Sequence, residues 1–253
     1  MHHTATRWKT RFCFCCPVQV ARTIASLQTW AYSVSENAVW VHLYGGSRLQ
    51  TNLPDGTPVK LTQETDYPWK GDVKINISTR DSLRCSLGLR LPPGTSDHSL
   101  SLNGNSLSLG EPEDDYLKLE REWEDGDSLS FSFDIPVRSL QAHPAVETDR
   151  GRVALERGPI VYCLEEVDNF QGLDKLILPR EAQFESEYEP ELLCGVISLR
   201  GQGLFPQEDD WERVLYRPKE EVSWREREIK AVPYYAWDHR ESGEMLVWLR
   251  SEL

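Results

Sequence analysis

Cysteine thiols form the densest group of reactive side chains in the sequence. Cys13, Cys15 and Cys16 lie within four residues of one another, and Pro17 follows directly. Thiolates are soft ligands that suit Zn²⁺, and deprotonated cysteine is also a strong nucleophile. A tetrahedral zinc site needs about four ligands, more than this cluster supplies. From the residues alone, a metal or redox site and a buried, inert turn both remain open.

Other reactive side chains give weaker signals. The three remaining cysteines lie in apolar stretches and are predicted to be small buried residues; they are Cys85, Cys163 and Cys194. The histidines show no metal-binding spacing. Glu165 and Glu166 are adjacent, and adjacent side chains on a strand point to opposite faces, so they cannot both act on one bond of a substrate. Several tryptophans could stack on sugar rings or pack in the core; they are Trp69, Trp123, Trp211, Trp224, Trp237 and Trp248.

One amphipathic helix is predicted directly after the cysteines. Val20, Ile24, Leu27 and Trp30 follow one another at steps of four, three and three residues, with Pro17 near the start. A single helix must bury its apolar face against another surface. This isolated helix therefore predicts that the chain is truncated at its front.

The sequence after Tyr32 alternates with a period of two, which predicts strands. Runs such as VWVHLYGG, DVKINIST and DSLSFSFDIPV end at Gly, Pro, Asn or Asp. Asn103-Gly104 and Asp125-Gly126 are typical of hairpin turns. A polar segment near residue 145 separates two sets of strands. We predict an all-β protein with two tandem antiparallel β-sandwich domains, at residues 33–145 and 146–253, behind one helix.

Composition restricts the classes of partner. The 253 residues are 39% hydrophobic, and 41 acidic against 28 basic residues give a net charge of −13. This charge disfavours nucleic acid as the main partner, and no apolar run is long enough to span a membrane. The scattered cysteines favour a reducing, cytoplasmic location. Residues 1–30 hold no acidic residue, so a targeting segment is the alternative. Neutral sugars remain open as partners, and a homodimer is compatible with the sequence.

Five longer motifs follow one another along the chain: RFCFCCPVQVARTIASLQTWAYSVSENAVWVHLYGGSRLQ, KLTQETDYPWKGDVKI, WEDGDSLSFSFDIPVR, GRVALERGPIVYCLEEVDN and AVPYYAWDHRESGEMLVWLR. In this order they resemble glycoside hydrolase family 127, the β-L-arabinofuranosidases and their relatives. They extend from about Arg11 to Arg250. Members of that family have an α/α toroidal catalytic barrel followed by two β-sandwich domains. The resemblance implies that residues 1–32 are a remnant of the barrel and that the chain lacks most of it.

The resemblance also implies roles for two cysteines. Cys15 corresponds to the retaining nucleophile, which is also a zinc ligand, and Cys16 to a second zinc ligand. Zinc would hold the thiol deprotonated at neutral pH. The other family ligands, a Glu and a Cys, and the acid/base Glu lie upstream in family members. Val18 and Gln19 stand where members usually carry Pro and Asn, so any sugar contact made by Gln19 is in doubt.

Three functions follow from these observations. The first is the C-terminal fragment of a zinc-dependent retaining hydrolase of the non-reducing end β-L-arabinofuranosidase type, inactive alone, whose substrate in the full-length family is an L-arabinofuranoside-type carbohydrate. The second is an autonomous carbohydrate-binding or structural β-sandwich module, which would need tryptophans side by side on an exposed face. The third is an intracellular zinc or scaffold protein, which would need its cysteines to converge in space.

Overall fold

A computed structural model describes residues 15–207 and 215–251 of the chain. Cys13 and Trp211 lie outside these residues. The chain divides into two compact units between Pro136 and Val137. We call residues 15–136 the first unit, and residues 137–207 with 215–251 the second unit.

The first unit begins with the predicted helix, α1, at Cys15–Trp30. Pro17 fits in the first turn because the amide hydrogens there have no partner within the helix. Beyond Trp30, the described residues contain only short 3₁₀ turns as helical structure. The single helix is therefore where the sequence predicts it, and it belongs to the first unit.

Ten strands follow in the described part of the first unit and form two sheets. They are β1 (Tyr32–Ser35), β2 (Ala38–Val41), β3 (Ser47–Asn52), β4 (Pro58–Thr65), β5 (Asp72–Ser78), β6 (Leu83–Arg90), β7 (Ser96–Leu102), β8 (Asn105–Leu107), β9 (Tyr116–Trp123) and β10 (Ser128–Asp134). One sheet has the order β1-β2-β6-β9 and the other the order β3-β4-β5-β10-β7-β8. Most pairs are antiparallel, but β2 and β6 are parallel, unlike the purely antiparallel prediction.

Alternating residues of both sheets form the core of the first unit. Phe131 of β10 and Ile75 of β5 come from one sheet, Val39 of β2 and Leu89 of β6 from the other, and all four are fully buried. The period of two places every second side chain on the same face. Gly88 on β6 lies under the indole of Trp40 on β2, since a Cβ there would come within 2.2 Å of the ring.

The two predicted hairpin turns differ in the structure. Asn103 and Gly104 have positive φ angles of 50° and 81° and join β7 to β8 in a two-residue turn, as predicted. Asp125-Gly126 does not form a hairpin, because β9 and β10 belong to different sheets. The amide of Gly126 instead donates to the carbonyl of Ile77. Here the chain crosses from one sheet to the other.

Nine strands form one sheet in the described part of the second unit. They are β11 (Val137–Gln141), β12 (Arg152–Arg157), β13 (Ile160–Glu165), β14 (Ile177–Leu178), β15 (Phe184–Glu189), β16 (Val196–Pro206), β17 (Trp224–Pro233), β18 (Met245–Leu246) and β19 (Leu249–Ser251). The pairing runs β12-β19-β14-β16-β17-β13, and β13 pairs again with β12. Six strands thus close into a barrel.

The closed barrel differs from the second antiparallel sandwich that the sequence predicts. Alternation shows which side of a strand is buried but not which strands pair, and closure removes the unpaired edges that two separate sheets would leave. The pair β14 and β19 is also parallel. The remaining strands add at the outside, with β11 on β12, β15 on β16 and β18 on β13.

The division between the units falls before the predicted boundary near residue 145. Strand β11 pairs along its whole length with β12, from Val137 opposite Arg157 to Gln141 opposite Val153. This pairing assigns β11 to the second unit. Residue 145 lies in the loop after it. No helix in the described ranges has both the length and the apolar character that crossing a bilayer requires.

Candidate active site on the first helix

Cys15 and Cys16 lie together at the exposed start of α1. Their Sγ atoms are 3.8 Å apart, and both side chains are exposed. A disulfide has a sulfur–sulfur distance of about 2.05 Å, so the two residues are thiols. The structure therefore presents two thiols to the same side of the first helical turn.

The sulfur spacing is compatible with two ligands of one zinc ion. A Zn–S bond is about 2.3 Å, and a tetrahedral angle then separates two sulfur ligands by about 3.8 Å. Among residues 15–207 and 215–251, no three His, Cys, Asp or Glu side chains converge as a metal site. The described residues thus supply two candidate ligands, fewer than the four of a structural site.

Backbone hydrogen bonds attach the end of α1 to the adjacent sheet. The carbonyl oxygen of Ala31 accepts from the amide of His42 at 2.9 Å and from that of Leu43 at 3.4 Å. These bonds satisfy a carbonyl that the helix end would leave without a partner. They also fix the helix that carries Cys15 relative to β2.

The ring of His42, in turn, links strands of the four-stranded sheet through both of its nitrogens. Its Nδ1 lies 2.6 Å from the hydroxyl of Tyr116 on β9, and its Nε2 lies 2.7 Å from the hydroxyl of Ser33 on β1. Burial, helped by the positive charge of Arg90, lowers the pKa of His42. The neutral ring, with one donor and one acceptor, joins two strands across the four-stranded sheet.

The apolar face of α1 is exposed in the described structure. No residue of the helix is buried, and Val20, Ile24 and Leu27 are 59%, 63% and 45% exposed. An exposed apolar stripe of this kind marks an interaction surface. The sequence predicted that this face needs a partner surface, and the described first unit does not cover it.

The remaining cysteines do not join the pair on the helix. Cys85 lies buried on β6 in the core of the first unit, and Cys163 lies buried on β13 in the second unit. Cys194 was predicted to be buried, but it is exposed. It lies in the turn between β15 and β16 with a positive φ of 68°, and such turns run over the surface.

Glu165 and Glu166 have different surroundings. Glu165 is the last residue of β13, whereas Glu166 begins a 3₁₀ turn, so the predicted alternation along one strand does not apply to the pair. Glu165 is buried, and its Oε2 lies 2.5 Å from Nη2 of Arg240. The Oε2 of Glu166 instead accepts from the backbone amide of Glu244. Neither carboxylate faces the other across a space for a substrate, so the pair has structural roles.

Sequence reasoning missed the charge network around Glu165. Arg240 contacts Asp168 through both terminal nitrogens, at 2.7 and 2.5 Å, in addition to Glu165. Lys230 donates to Glu189 at 2.8 Å. Bidentate Arg–carboxylate pairs are the strong form of such contacts. These residues are up to 75 positions apart in the chain, so no local spacing signals them.

The tryptophans occupy both cores and surfaces. Trp123 is 1% exposed, and its indole donates to the carbonyl of Cys85. Trp69, Trp237 and Trp248 are partly buried, whereas Trp224 is 41% exposed. Trp237 stacks on Tyr234 with ring centroids 5.9 Å apart. Core packing is therefore established for Trp123.

Family comparisons match both units of the chain. Residues 38–135 match the sequence profile of the β-L-arabinofuranosidase GH127 middle domain. Residues 137–250 match that of the glycoside hydrolase family 127 C-terminal domain. The two matches meet at the same place as the two compact units.

Individual relatives match over nearly the whole chain. A non-reducing end β-L-arabinofuranosidase of Bifidobacterium longum subsp. longum is 30% identical over 260 aligned residues, which cover 98% of this chain and 39% of the relative. A solved GH127 β-L-arabinofuranosidase from Geobacillus stearothermophilus T6 is 41% identical with a TM-score of 0.91, over 98% of this chain and 39% of that one. A solved GH127 β-arabinofuranosidase is 34% identical with a TM-score of 0.81, over 95% and 39%. The chain thus spans about two fifths of the length of these relatives.

Proposed function

Because the chain belongs to glycoside hydrolase family 127 and carries its middle and C-terminal domains, we propose that it is the C-terminal portion of a zinc-dependent retaining glycosidase. The proposed substrate is an L-arabinofuranoside-type carbohydrate. The relatives that carry the name β-L-arabinofuranosidase support this substrate. The chain on its own is proposed to be inactive.

The paired thiols of α1 carry this proposal. We assign Cys15 as the nucleophile and a zinc ligand, and Cys16 as a second zinc ligand. The support is their Sγ separation of 3.8 Å on an exposed helical turn, where a substrate could approach. Zinc, when bound, would keep the Cys15 thiol deprotonated at neutral pH.

The proposed reaction is a double displacement. The Cys15 sulfur forms a bond to the anomeric carbon while the bond from that carbon to the leaving oxygen breaks, and an acid protonates the leaving oxygen. Water then gives a proton to the same acid/base group, now deprotonated, and its oxygen bonds to the anomeric carbon while the carbon–sulfur bond breaks and releases the Cys15 thiolate. Two displacements at one carbon retain its configuration.

The acid/base residue and the remaining zinc ligands would come from a catalytic domain outside this chain. Two observations support this division. The chain spans 39% of the length of its relatives, and the apolar face of α1 is exposed in the described structure. A retaining glycosidase needs two groups on opposite sides of the bond, and this chain supplies one.

Hydrolysis of an aryl β-L-arabinofuranoside tests the proposal. We expect no turnover from the isolated chain, and turnover when it is joined to the catalytic domain of a family member. Cys15→Ser should then abolish turnover, whereas Cys194→Ser, which changes another exposed cysteine, should leave it unchanged. Turnover by the isolated chain that disappears in Cys15→Ser would contradict the division of the site. Full turnover by the joined Cys15→Ser variant would contradict the nucleophile.

Zinc content and thiol reactivity test the ligands separately from hydrolysis. The isolated chain should purify with much less than one equivalent of zinc, because two thiolates chelate it weakly. Its Cys15 should react readily with iodoacetamide, and joining the catalytic domain should raise zinc content and protect Cys15. A full equivalent of tightly held zinc and a resistant Cys15 in the isolated chain would favour the autonomous zinc protein.

A further inference from the structure

Two exposed arginines of β17 lie at one end of the β16–β17 hairpin, on the same side of the strand as its buried residues. On that face, Leu199 of β16 pairs with Ala231 of β17, and both are fully buried. Because side chains on one face recur every second residue, Phe205 of β16 and Arg225 and Arg227 of β17 continue the same face. Phe205 lies opposite Arg225 in the register. A face that is apolar along the barrel therefore ends in two cations.

The two arginines line a cavity of about 460 Å³. Phe170 and Phe205 supply aromatic walls, and Lys175 supplies a third cation. The amide side chains of Gln171 and Gln207 also line it. Among the lining residues that the structure describes, there is no carboxylate. Cavities of this size hold small organic ligands, and the mouths of β-barrels are frequent places for them.

Aromatic rings hold one guanidinium in place. Arg227 lies 4.9 Å from the ring centre of Phe170 and 5.8 Å from that of Phe205. The two rings pack edge to face with centroids 4.1 Å apart. A guanidinium stacked on an aromatic face keeps its N–H edge available for a planar, bidentate acceptor. The side chain is thus positioned before any ligand arrives.

The cavity arginines differ from others in the same unit. Arg200 contacts Glu187 and Glu228, and Arg240 contacts Glu165 and Asp168. Arg225 and Arg227, in contrast, form no ion pair within residues 15–207 and 215–251. In a protein with a net charge of −13, two neighbouring arginines that have no acidic partner among the described residues concentrate positive potential locally.

We propose that this cavity binds a carboxylate-bearing sugar, such as one uronic acid residue of an acidic oligosaccharide. The guanidinium groups of Arg225 and Arg227 bind the carboxylate, and the amides of Gln171 and Gln207 donate to and accept from hydroxyl groups. The preference for an anion rests on the cavity alone, and the choice of a sugar rests on the proposed glycosidase function.

Calorimetric titration of the chain with trigalacturonate tests this site. We expect saturable binding that weakens at high salt, because a charge pair is screened. A neutral galactose trisaccharide should not bind. Arg225→Gln and Arg227→Gln should each weaken binding by at least about tenfold, and Arg227→Lys should weaken it as well, because an ammonium loses the bidentate geometry. Arg180→Gln, which changes an exposed arginine outside the cavity, should bind as the unchanged chain does.

Three results would overturn the proposal. They are equal binding of the neutral trisaccharide, unchanged affinity in both cavity variants, and sodium sulfate binding as tightly as trigalacturonate, which would indicate a general anion site. Circular dichroism of each variant identifies any loss of folding, and Arg227→Lys keeps the charge if Arg227→Gln does not fold. Binding requires no turnover, so failure of the arabinofuranoside assay with intact trigalacturonate binding would overturn only the glycosidase function.

Discussion

The two units bury different kinds of side chain. The interior of the first unit is dominated by aromatic and aliphatic groups, with Phe131 in contact with Phe133 and Tyr44 at ring centroid distances of 5.1 and 6.0 Å. The second unit also has an apolar core but adds the ionic network of Arg240, Glu165 and Asp168. The first unit also buries one carboxylate, Asp127, which accepts hydrogen bonds from Asn103 and Glu124. We therefore expect the first unit to respond most strongly to changes of volume and the second unit to respond more strongly to loss of a cation.

The difference follows from how each unit closes. Two sheets that share a core can bury one whole face of each strand, and apolar residues suffice for that. In the second unit, Asp168 follows β13 and Arg240 follows β17, and both residues lie in connecting segments that are not part of any strand. Buried charges there require partners, and the resulting ion pairs join these two segments.

The largest expected effect is loss of volume in the first unit. Phe131→Ala should lower the free energy of unfolding of this unit by about 4 kcal/mol, because it removes a fully buried ring and leaves a cavity. Hydrogen exchange with peptide mapping measures the protection of backbone amides in each unit separately. The control is Leu109→Ala, at a position that is 36% exposed. It should change the free energy of unfolding of the first unit by less than about 0.5 kcal/mol. Equal effects of the two substitutions would mean that the aromatic cluster does not stabilise the unit.

Removal of a charge from the network should have the next largest effect. Arg240→Ala should destabilise the second unit by about 3 kcal/mol, because it leaves buried Glu165 without its cation and Asp168 with only Lys230, at 3.9 Å. Arg200→Ala serves as the control, since its side chain is 38% exposed and its surface ion pairs should contribute less than about 1 kcal/mol. The same exchange experiment measures both, and protection of the first unit should not change. If the Arg240→Ala variant were as stable as the Arg200→Ala variant, the ionic network of Arg240 would contribute no more to stability than a surface ion pair.

Acid should weaken each unit through carboxylates whose pKa is lowered in the folded protein. Burial alone would raise the pKa of Glu189, but hydrogen bonds from Lys230 and Ser198 and the nearby positive charges outweigh it and lower the pKa. A lowered folded-state pKa gives stability that is present above the unfolded value and is lost as pH falls through the folded one. The second unit should therefore lose stability below about pH 4.5.

A matched variant in the first unit sharpens the pH comparison. The pKa of Asp127 is also lowered, because hydrogen bonds from Glu124 and Asn103 outweigh its burial. Glu189→Gln should flatten the acid dependence of the second unit only, and Asp127→Asn that of the first unit only. Urea midpoints for each unit at pH 7 and pH 3.5 measure these slopes. A change in the other unit's slope would show that the two units do not titrate independently.

The smallest expected effect is a difference in thiol reactivity. Burial raises the pKa of Cys85 to about 11, which lowers its thiolate fraction at pH 8 about a hundredfold relative to an ordinary thiol. Iodoacetamide should therefore modify Cys85 far more slowly than Cys16, as mass spectrometry of peptides would show. In denaturant the two rates should converge. Equal rates in the folded protein would mean that the first unit opens readily.

The sequence alone determined the local elements and indicated the family of the chain. The spacing of Val20, Ile24 and Leu27 predicted the helix that the structure shows at Cys15–Trp30. Alternation predicted the strand faces, and Asn103-Gly104 predicted its hairpin. These features depend on residues close together in the chain, where periodicity and turn chemistry act directly. The motif around Cys15 and Cys16 likewise indicated the family that the comparisons establish.

Only the tertiary structure decided which distant segments meet. It closed six strands of the second unit into a barrel, sent the chain between sheets at Asp125-Gly126 and left Cys194 exposed. It also brought Arg240 to Glu165 and placed Arg225 and Arg227 beside Phe170. Strand pairing and charge contacts depend on the summed free energy of many long-range contacts, which no short window of sequence contains.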